Sequence, residues 1–283
     1  MSLSANWISH FISLYFSGDK FSVAEAIRLK DNFIPKNLFR FRHLKPSHGK
    51  MYTYDEIKYN YVYMSNPTSF NDPFDTVAYY DIDKHMKKIV LSPSSVDFLI
   101  SENKKCFEHV KECISLRASR LAQNSVRVCC FSEAENNNTP TNMPMWYHYA
   151  DCYTGICIRY DMSTFNQDDL QRVRMFPVNY ISNMLDSTEI FTDNNNIGFD
   201  TKIAMHKHSD WGYEKEWRFI IGNGIVSDEN ANFKFPSITA IYMGYKICVR
   251  NENILSNIAR EKNIPLFKMT IKNGGVEFRP VSV

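Results

Sequence analysis

Two carboxylates one residue apart, followed two positions later by an arginine, close the run Trp211-Gly-Tyr-Glu-Lys-Glu-Trp-Arg218, which leads straight into Phe219-Ile-Ile221. Read as a strand, alternation puts Glu214, Glu216 and Arg218 on one face and Lys215 and Trp217 on the other. Carboxylates presented side by side can act on different atoms of one substrate. One can hold a ribose hydroxyl and stabilise an oxocarbenium-like transition state, while the other takes a proton from the attacking group. The plainer alternative is a surface ion pair between Glu216 and Arg218, worth little in stability.

Further upstream, Leu38-Phe-Arg-Phe-Arg42 places Arg40 and Arg42 on one face of a strand and Phe39 and Phe41 on the other. Paired guanidinium forks suit a diphosphate or a carboxylate; alternatively they face solvent with their stems over the core edge. The stretch Tyr61-Val-Tyr-Met-Ser-Asn-Pro-Thr-Ser-Phe-Asn-Asp-Pro-Phe-Asp75 carries two X-Pro steps that impose extended or turn geometry. It reads as an ordered loop packed by Phe70 and Phe74, with Ser65 at a strand end where it can face a cleft. His148, three residues before Asp151 and flanked by aromatic rings, is either an oriented base on a helix or a plain surface histidine. His206 and His208 fall in a segment read as helical, where a spacing of two sets them on nearly opposite sides and argues against a shared metal.

The elements that must position these groups follow from periodicity. Trp7, Ile8, Phe11, Ile12, Leu14 and Tyr15 recur at helical spacing and Ser22 to Lys30 is amphipathic, so residues 1–34 read as an N-terminal helical extension. Residues 35–283 read as a single domain. Its strands are Leu38–Phe41, Ile57–Ser65, Val126–Phe131, Ile156–Tyr160, Val173–Tyr180 with an edge proline at 177, Trp217–Ile221, Ile238–Met243 and a last one at Leu266–Ile271. Its helices are Ser94–Asn124, Met145–Ala150, Thr201–Ser209 and Glu252–Glu261, with a polar loop from Glu133 to Asn142. The elements intersperse without βαβ spacing or a glycine-rich phosphate loop. The expected fold is therefore α+β: a mixed, largely antiparallel sheet flanked by helices and preceded by the N-terminal ones.

With 33 Lys and Arg against 31 Asp and Glu, the chain has no general field to hold a nucleic-acid backbone. Seven cysteines without a Cys-x-x-Cys pair fit neither a zinc ribbon nor a disulfide framework, so no metal is assigned and the thiols read as free in a reducing cytoplasm. No run reaches the roughly 18 apolar residues of a membrane helix. Twenty Phe, 16 Tyr and four Trp are the compositional excess, and the rings read mainly as core.

In LFRFR at 38–42, YMSNPTSFNDPFD at 63–75, VCCFSE at 128–133, MWYHYADCYTGICIRYD at 145–161, YEKEWRFI at 213–220 and IYMGYKI at 241–247, the chain resembles the DUF2971 family of bacterial proteins. That resemblance supplies a family without an agreed activity; a setting in phage defence or stress attaches to the family and to no residue. A looser analogy is with ADP-ribosyltransferases, which order an early-strand Arg, a Ser and a later Glu-x-Glu as Arg40 or Arg42, Ser65 and Glu214-x-Glu216 are ordered here.

Three readings follow. The first is an enzyme that uses NAD as a substrate for group transfer or glycohydrolysis: Arg40 and Arg42 bind the diphosphate, Trp146, Tyr147 or Trp211 stacks on nicotinamide, Glu216 stabilises the ribosyl cation and Glu214 activates the acceptor, with His148 a further catalytic candidate. The second is a metal-dependent nuclease or phosphoesterase built on Asp72, Asp75 and Glu216. The third is a non-catalytic interaction module, in which the same motifs are fold determinants. Convergence of Arg40 or Arg42, Ser65, His148 and Glu216 on one pocket separates the enzyme readings from the module.

Overall fold

The computed structural model describes residues 3–46, 49–81, 83–85, 101, 104–134, 139–188, 198–227 and 230–282. Asn37–Arg42 (β1), Val126–Ser132 (β2), Ile156–Asp161 (β3), Met175–Pro177 (β4), Glu216–Gly222 (β5), Ile238–Met243 (β6), Leu266–Lys272 (β7) and Gly275–Pro280 (β8) form one eight-stranded sheet. The spatial order is β8-β7-β6-β3-β1-β2-β5-β4. Neighbours run antiparallel except β6 and β7, which are parallel. The central strands are buried along nearly their whole length because helices cover both sides.

One face carries Leu38, Phe131, Ile158, Tyr160, Trp217, Phe219 and Ile241. It is covered by Tyr54 and Ile57 of α3 (Tyr52–Tyr59) and by Leu255 and Ile258 of α7 (Val249–Lys262). The opposite face holds two separate apolar clusters. Phe39, Phe41, Cys157 and Tyr242 pack under Trp146 of α5 (Met143–His148). Val126, Val128, Phe176 and Ile220 pack under Phe11 of α1 (Leu3–Tyr15), Ala26 of α2 (Lys20–Asp31) and Ala204 of α6 (Phe199–Ala204). The long helix α4 (Lys104–Ser125) packs against α6. Between the two clusters the register sets Ser132 opposite Glu216 and Cys130 opposite Arg218, so the middle of this face is polar.

Two caps place the flanking helices. The Asp19 carboxylate accepts from the Ser22 backbone N–H at 2.8 Å and starts α2. Asn142, followed by Met143 and Pro144, caps α5 through the Met145 N–H and donates its own amide to the Tyr213 carbonyl at 2.6 Å, tying that helix to the segment before β5.

The α+β sheet and the N-terminal helices agree with the sequence, and five local expectations change. Val173–Tyr180 is not one strand: Val173 ends a short helix from Leu170, Met175–Pro177 is β4, and Asn179–Ile181 is a separate strand outside the large sheet. Ile57 to Ser65 is not one strand: α3 runs to Tyr59, Asn60 turns in the left-handed region (φ 53°), and only Tyr61–Tyr63 is extended. The helix lets Glu56 reach both Arg40 and Arg42, which a strand would not. Thr201 to Ser209 divides into α6 and a strand at His206–His208 that pairs in parallel with Asn179–Ile181. Leu266–Ile271 is followed by one more strand, β8, across a turn at Asn273 and Gly274 that both have positive φ. Lys215 is left-handed (φ 44°), so the alternation assumed from Glu214 to Arg218 breaks one residue before β5 starts. The helix expected from Ser94 is seen from Lys104; residues 94–100 lie outside the described ones.

Candidate active site

The polar middle of the second face is a closed ion network. Arg218 is fully buried on β5 and makes a two-pronged contact with Asp75, Nη1 to Oδ1 at 2.8 Å and Nη2 to Oδ2 at 2.6 Å. Its Nε donates to Glu216 Oε1 at 2.8 Å and its Nη1 also donates to the Ala204 carbonyl at 2.7 Å. Lys207, from the strand beside α6, donates to Glu214 Oε2 at 2.6 Å and to Glu216 Oε2 at 3.1 Å, and lies 3.4 Å from Asp75 Oδ2. The Tyr149 hydroxyl, just past α5, donates to Glu214 Oε1 at 2.5 Å. The Tyr180 hydroxyl accepts from the Glu216 backbone N–H at 2.9 Å.

Burial and pairing drive the two glutamates apart. Glu214 is pushed up to about 7, first by burial and then by the neighbouring Glu216 charge, against the pull of Lys207. Burial also works against the charge of Glu216, yet Arg218 and Lys207 outweigh it and hold that carboxylate far below the usual range. Lys207 stays protonated because Glu216 and Glu214 overcome its desolvation. Three carboxylates thus face two cations. The network is neutral with Glu214 protonated and carries one net negative charge once Glu214 loses its proton.

A cleft of 410 Å³ opens onto this network. It exists because β1 and β2 pair only at Phe39 and Ser132, whereas β2 and β5 pair at seven positions from Glu216 to Gly222. Beyond Phe39 the two strands part, and Ser65 takes the place opposite Val128, exchanging backbone hydrogen bonds with it at 2.9 and 2.8 Å. Glu214, Glu216, Ser65, His148, Arg40 and Arg42 all border this cleft, as do Phe70, Asn71 and Tyr149.

Arg40 and Arg42 nevertheless belong to the other face, where Glu56 takes both: Arg40 Nη1 lies 2.7 Å from Oε1 and Arg42 Nε 3.0 Å from Oε2. Arg40 is buried, while the Arg42 side chain keeps 21% exposure at the rim. His148 is exposed at the mouth, and Asp151 does not orient it, because the Asp151 carboxylate engages Lys45 at 2.7 Å and Thr154 at 2.9 Å. Trp146 is fully buried, donates to the Pro140 carbonyl at 2.6 Å and meets Phe41 edge-on, a core position that closes it to a stacking ligand. Tyr147 is 55% exposed. Trp211 sits with its ring centroid 5.1 Å from Lys207 Nζ and borders a second cavity.

Reasoning from sequence missed Lys207, Tyr149 and Tyr180. Lys207 lies in a segment that reads as helical, where nothing marks it. Asp75 entered only as a metal ligand, yet its place at the end of the FNDPFD motif brings it to Arg218. Asp75 and Glu216 carry resident cations on their oxygens, and Asp72 accepts from the Phe74 N–H in an exposed turn, so the three do not form a common donor set for a metal.

Residues 145–219 match the family model described as "Protein of unknown function (DUF2971)", in agreement with the resemblance seen in the motifs. The matched span runs from α5 to β5 and contains Tyr149, Lys207, Glu214, Glu216 and Arg218. No curated protein and no solved structure matches the chain.

Proposed function

We propose that the protein is an enzyme that cleaves the N-glycosidic bond of NAD or a related nucleotide and passes the ribosyl group to water or an acceptor. The observation that carries this reading is the split carboxyl pair at the inner end of the cleft. A carboxyl that titrates near neutrality beside one that stays ionised is the pattern of a general base working next to a charge stabiliser.

In this mechanism Glu214 takes the proton of the attacking hydroxyl or water. Its ionisation gives the network its net negative charge, which faces the ribosyl cation as the nicotinamide leaves with the bonding electron pair. Glu216 keeps its charge beside Glu214 as the charge stabiliser, while Lys207 and Arg218, which hold its oxygens, act as positioning residues. Ser65 and Asn71 supply polar groups along the wall, and at the rim Arg42 supplies positive charge and His148 a ring nitrogen for the diphosphate. The cleft volume of 410 Å³ suits the nicotinamide riboside end, leaving the rest of the dinucleotide towards the rim.

Convergence of Ser65, His148, Glu214 and Glu216 on one cleft favours an enzyme over an interaction module, and the cations on Asp75 and Glu216 weigh against the metal-dependent reading. The test is release of nicotinamide from NAD, followed by chromatography with and without added protein acceptor. Glu214→Gln should lower kcat by about 10²–10⁴-fold, and kcat in the wild type should rise with pH through about 7. No release by the wild type under either condition, or release unchanged by Glu214→Gln, overturns the reading.

A further inference from the structure

Lys207 borders two cavities. Besides the cleft above it borders one of 310 Å³, reached from the other side of the loop between β1 and α4 that carries Phe-Asn-Asp-Pro-Phe-Asp. That loop is the partition: Phe70, Asn71 and Asp75 face the first cavity, and Asp72, Phe74 and Val77 face the second.

The walls of the second cavity have the chemistry of a ring site. Trp211 and Phe74 offer aromatic surface, and Met184 and Leu185 add adaptable apolar surface. Phe74 is 63% and Met184 47% exposed, so large apolar groups stand open to solvent at its edge. The polar groups around the ring space include two carboxylate acceptors, Asp72 and Asp210, with His208 3.3 Å from Asp210 and Asn183, His206 and Lys207 completing the polar lining. His206 is neutral, held down to about 4 by burial, and one of its ring nitrogens is engaged by the Lys202 carbonyl. Lys207 directs its ammonium into the carboxylate network, with Nζ 5.1 Å from the centroid of the Trp211 ring, which itself borders the cavity.

We infer that this second cavity binds a flat heteroaromatic amine of the aminopurine type, stacked on Trp211 and donating its exocyclic amino group to the Asp72 or Asp210 carboxylate. A phosphate inside it would meet two carboxylates, so the ligand enters base first with any phosphate left outside. The inference needs no part of the reaction proposed above, because the partition and Lys207 stand between this site and Glu214.

Adenosine, titrated into the full chain and followed by calorimetry and by ligand-observed saturation-transfer NMR, is the probe. Saturable binding below about 1 mM is expected. Trp211→Ala and Met184→Trp, the second filling the cavity from an exposed position, should each weaken it by about tenfold or more. Glu214→Gln should leave it unchanged. Inosine, which lacks the exocyclic amine, should bind at least about tenfold more weakly. Absence of saturable adenosine binding, equal affinity for inosine, retention in both cavity variants, or loss in Glu214→Gln each overturns the inference, the last by moving the base into the first cleft.

Discussion

Replacing Glu214 by Gln should change how stability depends on pH by an amount the burial of that carboxyl sets. Glu214 titrates at about 7 in the fold against an ordinary 4.5. Between those values the unfolded chain has lost the proton and the folded one has kept it, so this group makes stability fall as pH rises. At about 1.4 kcal/mol per pH unit the gap amounts to about 3 kcal/mol, fully expressed above pH 7. His206 works in the opposite direction over almost the same range, because burial holds it at about 4 and the fold loses stability as acid protonates the unfolded imidazole first. The raw profile of the wild type is therefore shallow, and the difference between the two proteins isolates Glu214. Urea unfolding at intervals from pH 4.5 to 8 should show Glu214→Gln gaining about 3 kcal/mol on the wild type across that range. A difference flat to within about 1 kcal/mol would mean that Glu214 is ionised at neutral pH. The proposed base would then have only the proton affinity of an ordinary carboxylate.

Other outcomes follow from neighbouring features. Arg218→Met leaves Asp75 and Glu216 buried without their main partner and should cost about 3–5 kcal/mol in urea unfolding at pH 7. Lys30 is fully buried, donates to the Arg172 and Val173 carbonyls at 2.6 and 3.0 Å, and is lowered by burial to about 7. Its folded form therefore loses the proton before the unfolded form does, and wild-type stability should rise by about 2 kcal/mol from pH 7 to 9, below the range where the buried thiols titrate, a rise that Lys30→Met abolishes. A methyl group at Gly244 would collide with the Tyr153 carbonyl, which is backbone and cannot swing aside; Gly244→Ala should lower stability by about 3 kcal/mol or more in the same assay.

The strands were legible where both faces are buried. Val126–Ser132, Ile156–Asp161 and Ile238–Met243 announce themselves as short runs rich in β-branched, Cys and aromatic residues with few polar interruptions, as strands buried on both faces do. Ile57–Tyr59, the end of α3, was misread because the Tyr- and Val-rich run that follows it suits a strand, while the helix is tied down by Glu56 reaching two arginines on β1. Glu214 and Glu216 were found from their spacing, but for a reason that does not hold: the left-handed Lys215 and the shared contact with Lys207 bring them together, not strand alternation. Lys207 and Tyr149 could not have been found that way. Each contacts Glu214 from a different element, and such meetings are set by packing across the sheet face, which no local pattern encodes.

The single pairing between β1 and β2 divides the sheet mechanically. Five strands on one side and three on the other share an apolar cluster on one face, but as plates of backbone hydrogen bonds they are joined, among the described residues, only at Phe39 and Ser132. Amides within the seven-position ladder between β2 and β5 can exchange with solvent only when the plate itself comes apart. Those along the strip can exchange when the plates flex about their joint. Because the cleft is the gap between the plates, its width and the rate of that flexing are one degree of freedom, and an occupant that spans the gap would lock both.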